Sequence, residues 1–202
     1  MALLGAVVSM AEDSPRRNGV RVRLIVDGAN RANNKGAARE SDYLTLGHDS
    51  RLAQVMTNLI ENARSFSEPG GEVRVALRRQ RMDLDEDLID ESERIVISVE
   101  DDGPGIPPHA LERIFERFYT DRPNQGFGQN SGLGLSISRQ IVEAHGGQIW
   151  AENRPNPAGA AAKASALATD VHAEAASLDP DTDIARHGAG ARFVISLPAA
   201  TS

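Results

Sequence analysis

Ser131-Gly132-Leu133-Gly134-Leu135 is the stretch on which the reading of this chain turns. It stands where a polar, glycine-rich loop, Thr120 to Asn130, gives way to a helical pattern carried by Leu135, Ile137, Ile141 and Val142. Glycines at such a junction let the backbone approach a bulky anion, and the helix N-terminus offers unpaired N–H groups and the positive end of its dipole. The junction reads as a phosphate cradle or, taken alone, as a plain structural cap. The neighbouring motifs have to decide between the two.

Upstream, Leu52, Val55, Met56, Leu59, Ile60, Ala63 and Phe66 recur at three and four, which predicts a core-packed helix. Asp49 or Ser50 is its expected N-cap and Pro69-Gly70-Gly71 its stop. Each residue turns the helix by about 100°, so Asn58, Glu61, Asn62 and Ser65 fall on one polar stripe. Two carboxamides and a carboxylate one turn apart can present hard oxygens to a phosphate-bound magnesium ion, or can simply be a solvated face. Asp101-Asp102-Gly103-Pro104-Gly105 follows a strand of buried type. There a carboxylate held at the strand end could accept a hydrogen bond from a ring amine, or could serve only as a good turn residue.

The remaining pattern is mostly strand. Val20, Val22, Leu24 and Val26 alternate, and with Tyr43 to Leu46 they suggest a hairpin with a loose tip. Val73, Val75 and Leu77 alternate, as do Ile95, Ile97 and Val99, and the acidic run Met82 to Glu93 between them suggests a long hairpin with a solvated loop. Gly103 to Pro108 must turn before a short pattern, Leu111, Ile114, Phe115 and Phe118. His145-Gly146-Gly147 ends the second helix, and Gln148 to Glu152 and Ala191 to Leu197 complete the strands. Residues 155–190 are rich in alanine and acidic side chains and read as a flexible insertion. Residues 2–12 carry apolar positions at helical spacing until Pro15 and Asn18-Gly19 break them.

A net charge of −7 over 202 residues gives no basic footprint for nucleic acid, so a polyanionic ligand has to be held by local groups and a cation. With no cysteine, disulfides, thiolate nucleophiles and zinc–thiolate sites are out. An aromatic fraction of 4% implies an aliphatic core. No apolar run reaches the length of a membrane span, so no membrane contact is expected of this fragment. Arg113, Arg117, Arg122 and Lys163 are the cations that could reach a phosphate, Arg122 foremost. None of the five histidines has the helical context of a phosphoacceptor or the spacing of a zinc site.

In order along the chain, Asn58-Leu-Ile-Glu61-Asn62-Ala63, Asp101-Asp-Gly103-Pro-Gly105-Ile106, Ile114-Phe115-Glu116-Arg117-Phe118 and Ser131-Gly132-Leu-Gly134-Leu resemble the N, G1, F and G2 boxes of the catalytic ATP-binding domain of bacterial sensor histidine kinases. The resemblance covers residues 42–153 and resumes at 190–198. The run Phe115 to Pro123 and Phe127 to Ser131 further looks like the ChvG/ExoS type of envelope-stress sensor kinase. It implies an α/β sandwich of the GHKL ATPase type, a mixed and mainly antiparallel sheet with helices on one face, and ATP and Mg²⁺ as ligands.

By that resemblance Asn62 would bind the magnesium, Asn58 would support the phosphates, Glu61 would polarise the attacking group and Asp101 would hold the adenine amine. Phe66, Gly103, Gly105, Ile106, Tyr119, Arg122 and the turn Ser131, Gly132, Leu133, Gly134 and Leu135 would complete the nucleotide site. Residues 1–19 would be the end of a linker or dimerisation helix and residues 20–198 the catalytic domain. Its partners would be the dimerisation and histidine phosphotransfer domain of the parent kinase and a cognate response regulator, with the whole in the cytoplasm beneath a membrane-anchored parent. A nucleotide-responsive binding module and a GHKL-type ATPase are the competing readings. Two positions depart from the pattern: Ser65 stands where many relatives carry a basic residue, and Asn130 where the G2 box has its first glycine.

Overall fold

The computed structural model describes residues 19–26, 43–45, 47–81, 93–119, 132–154 and 190–200. Five strands form one sheet: β1 (Arg21–Val26), β2 (Glu72–Arg81), β3 (Glu93–Glu100), β4 (Gln148–Asn153) and β5 (Ala191–Pro198), in the order β1-β2-β3-β5-β4. β1 and β2 are parallel and every other pair is antiparallel. Two helices, α1 (Asp49–Phe66) and α2 (Gly134–Ala144), pack on each other and on the sheet.

The alternation seen in the sequence decides which face of the sheet is covered. Val75, Val99, Phe193 and Ala151 line up across β2, β3, β5 and β4, and of these the first three are buried. They meet Leu52, Val55, Met56, Leu59, Ile60 and Ala63 of α1 and Val142 of α2 in one aliphatic core. On the other face, Arg74, Glu100, Arg192 and Glu152 occupy one cross-strand row of alternating charge. Arg192 bonds both Glu100 and Glu152, at 2.7 and 3.0 Å. Opposite charges placed directly across strands stabilise the pairing, and here they clothe the face that no helix among the described residues covers.

Two expectations are corrected. Val20 to Val26 does not form a hairpin with Tyr43 to Leu46: the chain leaves β1, passes through α1 and returns as β2, and a crossover of that kind makes the pair parallel. Residues 43–45 are not a strand and lie against the end of β5, with Thr45 Oγ1 donating to the Pro198 carbonyl at 2.8 Å and Ala200 N–H to that of Leu44 at 2.8 Å. The N-cap of α1 is His48, without a side-chain cap, in place of Asp49 or Ser50. His48 is fixed from outside, because its N–H donates to Nε2 of His145 at 3.1 Å. The expected helix at residues 2–12 and the insertion at 155–189 lie outside the described residues.

Candidate nucleotide site

The polar stripe of α1 touches α2 at one point. Asn58 Nδ2 donates to the carbonyl of Gly134 at 3.3 Å and lies 3.4 Å from Ser138 Oγ, joining two motifs 76 residues apart. Gly134 is the first residue of α2, and a Cβ there would sit 3.8 Å from Asn58 Cγ. The glycine turn is thereby seated on the middle of α1. Gly132 before it has φ +66°, and a Cβ at that position would lie 2.9 Å from backbone atoms of Phe118 and 3.0 Å from the carbonyl oxygen of Tyr119. Only glycine combines that backbone with that approach. Leu133, the N-cap residue of α2, supplies no side-chain cap, and Leu135 is half-buried against the core.

At the other end of the stripe, Phe66 closes α1 against the Asp101 loop: a Cβ on Gly103 would meet the Phe66 carbonyl oxygen at 2.6 Å and Asp101 Oδ1 at 2.9 Å. Asp101 is 2% exposed. Its Oδ1 accepts from the N–H groups of Gly103 at 2.9 Å and Ala191 at 3.1 Å. Oδ2 has no hydrogen-bond partner among the described residues. The carboxylate is thus held firmly by one oxygen and offers the other. Burial pushes the Asp101 carboxyl above its ordinary range, against the opposing effect of those two backbone bonds. At Asp102 burial also works against the charge, but hydrogen bonds from Arg154 and Arg74 outweigh it and hold the carboxyl below its ordinary range.

Asn58, Asn62 and Phe66 are spaced i, i+4 and i+8, so α1 gives a floor about 12 Å long between the anion-friendly helix end and the buried carboxylate. Asn62 stands midway, half-buried, and its carboxamide makes no hydrogen bond among the described residues. Glu61 pairs at 3.4 Å with the buried Arg64. Ser65, the departure from the expected pattern, turns its hydroxyl back to the Asn62 carbonyl at 2.8 Å. No group of three or more acidic or histidine side chains capable of caging a metal occurs among the described residues. Magnesium held by a single carboxamide, with phosphates and water supplying the other oxygens, fits this donor set.

Ile106 is buried and bonded at both of its peptide groups by Asn153, and Gly105 has φ +84°. Tyr119 lies beside Gly132, with the Arg113 guanidinium 5.0 Å from its ring centre. Arg122 and Ser131 lie outside the described residues, as does Lys163. Sequence reasoning missed Ser138, Asn153, Arg154 and Gly190, because contacts made by strand ends and by the second turn of a helix leave no periodic signal.

Residues 47–201 match the family of histidine kinase-, DNA gyrase B- and HSP90-like ATPases. The chain belongs to this ATPase family. It is 40% identical over 198 residues to the sensor protein ChvG of Agrobacterium fabrum, a match that takes in 97% of this chain and 26% of that protein. The ATPase domain is therefore homologous to the catalytic domains of sensor histidine kinases, and it spans about a quarter of the length of this relative (26%). Among solved structures, the mycobacterial sensor histidine kinase MprB has the same fold, with a TM-score of 0.61 at 23% identity over 100% of this chain and 95% of that one. Full-length ShkA in complex with AMPPNP matches with a TM-score of 0.60 at 24% identity, over 100% of this chain and 30% of that one. The expected α/β architecture of the ATPase family, a mixed and mainly antiparallel sheet with helices on one face, is the one observed. No helix among the described residues is long and apolar enough to cross a membrane.

Proposed function

We propose that residues 20–198 bind ATP with Mg²⁺ and donate its γ-phosphoryl group to a histidine on a separate dimerisation domain of a membrane-anchored parent kinase, whose cytoplasmic part this chain would be. The observation that carries the reading is the Asn58–Gly134 contact, which sets a helix N-terminus suited to phosphate beside the polar stripe of α1. In this reading the adenine amine donates to Asp101 Oδ2, with Phe66, Gly103, Gly105 and Ile106 around the base. Asn58 and the turn at Ser131, Gly132, Leu133, Gly134 and Leu135 take the phosphates, with Tyr119 and Arg122 at their outer side. Asn62 holds the magnesium, which when bound would neutralise charge on the phosphates.

Transfer would form a bond between the acceptor imidazole nitrogen and the γ-phosphorus and break the bond to the β-γ bridging oxygen, releasing ADP. Glu61 would take the hydrogen bond of the imidazole N–H as that nitrogen becomes more acidic. Most of the acceleration would come from positioning and charge neutralisation. The acceptor would afterwards hand the phosphoryl group to a response regulator.

Calorimetric titration with ADP and AMPPNP, with and without magnesium, tests the binding half. Magnesium-dependent binding weakened by both Asn62→Ala and Asp101→Ala is expected; a folded chain that binds neither nucleotide would refute the reading. Supplying a dimerisation domain with its histidine in trans tests transfer through acid-labile phosphate on that domain. Binding without transfer would leave a nucleotide-responsive module, and phosphate release without an acceptor would indicate an ATPase.

A further inference from the structure

The loop Asp101-Asp102-Gly103-Pro104-Gly105-Ile106 contains two glycines and no helix or strand, so its own sequence does not fix the carboxylate it carries. Two consecutive residues at the end of β4 hold both of its ends. Asn153 faces the peptide groups of Ile106: its Oδ1 accepts from Ile106 N–H and its Nδ2 donates to the Ile106 carbonyl, both at 2.7 Å. Arg154 holds the opposite end, where one nitrogen, Nη1, donates to the Asp101 carbonyl at 2.9 Å and to Asp102 Oδ1 at 2.7 Å. Its Nε stands 3.3 Å from Glu100 Oε2, and its own N–H donates to the carbonyl of Gly190 at 2.9 Å. Gly190 packs so closely on the Asp101 carbonyl that no Cβ could be accommodated there.

Arg74 shares the Asp102 and Glu100 carboxylates, at 2.7 and 3.5 Å, but does not reach the Asp101 carbonyl. The main chain at Asp101 is therefore fixed on one side by Ala191, whose carbonyl accepts its N–H at 3.0 Å, and on the other by Arg154. With the peptide fixed at both sides and Oδ1 tied to Gly103 and Ala191, the direction of Oδ2 follows.

We propose that Asn153 and Arg154 are positioning residues that set which purine the site accepts, by holding Asp101 Oδ2 where it meets an exocyclic amine and not a carbonyl. The inference rests on the adenine contact proposed above. Neither residue touches the base; each acts through the loop. Releasing either end should leave phosphate binding in place and blunt the discrimination between an amine and an oxygen on the purine.

The test is titration of the whole chain with ADP and with inosine diphosphate, which carries an oxygen in place of the amine. The chain as it stands should prefer ADP. Arg154→Met and Asn153→Ala should each weaken ADP about tenfold and inosine diphosphate by less than about twofold. Arg154→Lys, which keeps the charge but has one nitrogen in place of the fork whose Nη1 and Nε reach the loop and Glu100 separately, should fall between, and it is the variant to read if Arg154→Met does not fold. In an Asp101→Ala background Arg154→Met should change nothing further. Variants that lose affinity for both nucleotides equally, or that keep full selectivity, would overturn the positioning role while leaving the nucleotide site intact. A folded parent chain that binds both diphosphates equally well, or neither, would instead remove the adenine contact and this inference with it.

Discussion

Asn58 donates its side-chain amide to the carbonyl of Gly134, the first residue of α2, and so fastens the middle of one helix to the beginning of the other. Ser138 Oγ also donates to that carbonyl, at 2.9 Å, so removing the amide does not leave the oxygen without a donor. Asn58→Ala should accordingly cost only about 0.5–1.5 kcal/mol of stability. Nucleotide affinity should fall further, because the glycine turn loses its seat. Asn58→Asp places a carboxylate against the same carbonyl and should be worse in both respects. Thermal melting read beside calorimetric titration separates the two effects; unchanged affinity in both variants would mean that the seat is immaterial.

Asp101 gives opposite signs for stability and binding. Burial raises its carboxyl above the ordinary value of 3.8, so the folded state holds the proton more tightly than the unfolded chain does. The stability this contributes is fully present below pH 3.8 and is lost as pH rises through the higher folded value. Asp101→Asn keeps an oxygen for Gly103 and Ala191 but has no charge to bury. Its stability relative to the parent chain should therefore climb across that acidic window and then level off, as denaturant titrations at a series of pH values would show. Binding goes the other way. With the amide oxygen committed to two backbone donors, the amide nitrogen would occupy the position of Oδ2 and, in the proposed site, would meet the adenine amine donor to donor. A loss of about 1–3 kcal/mol in ADP binding follows.

The elements legible in the sequence are those with a period. The stripe of Asn58, Glu61 and Asn62 on α1 and the β2–β3 hairpin follow from repeats of two or of three and four residues, and the glycine stop of α2 from local capping chemistry. What the sequence could not supply was adjacency between elements far apart along the chain. Alternation at Val20, Val22 and Leu24 says which side of a strand is buried but not which strand lies beside it, and β1 joined β2 in place of the segment around Tyr43. The brace formed by Asn153 and Arg154 was invisible for a related reason. An Asn-Arg pair after a strand is common, and its value here arises from the sheet order, which lays β5 between β3 and β4 and brings the β4 end to the Asp101 loop.

Gly132 should be intolerant of any side chain. Its positive φ costs an L-residue roughly 1–2 kcal/mol, and the added carbon would press on the main chain of Phe118, which cannot swing aside as a side chain could. Gly132 also accepts the Phe118 N–H at 3.0 Å, so a shift of the turn breaks that bond as well. Gly132→Ala should lower the melting temperature and weaken ADP binding together. Unchanged melting with normal affinity would mean that the turn relaxes without consequence.

Asn62 and Leu59 lie three residues apart on α1 and should respond in opposite ways. Leu59 is fully buried among β-sheet and helix side chains, and Leu59→Ala opens a cavity that should cost about 2–5 kcal/mol. The damage is spread over the core, so ADP affinity measured well below the melting temperature should change little. The Asn62 carboxamide is half-buried and makes no hydrogen bond among the described residues, so Asn62→Ala should stay within about 0.5 kcal/mol of the parent chain. What it removes is an oxygen with no hydrogen-bond partner among the described residues. If that oxygen holds magnesium on the nucleotide phosphates, as proposed, binding in the presence of magnesium should fall to the level measured with a chelator, while binding in the chelator itself stays unchanged. Paired titrations with and without magnesium decide the matter. An Asn62→Ala variant that retained the full magnesium increment would place the ion on other residues and leave the open carboxamide without a role in catalysis.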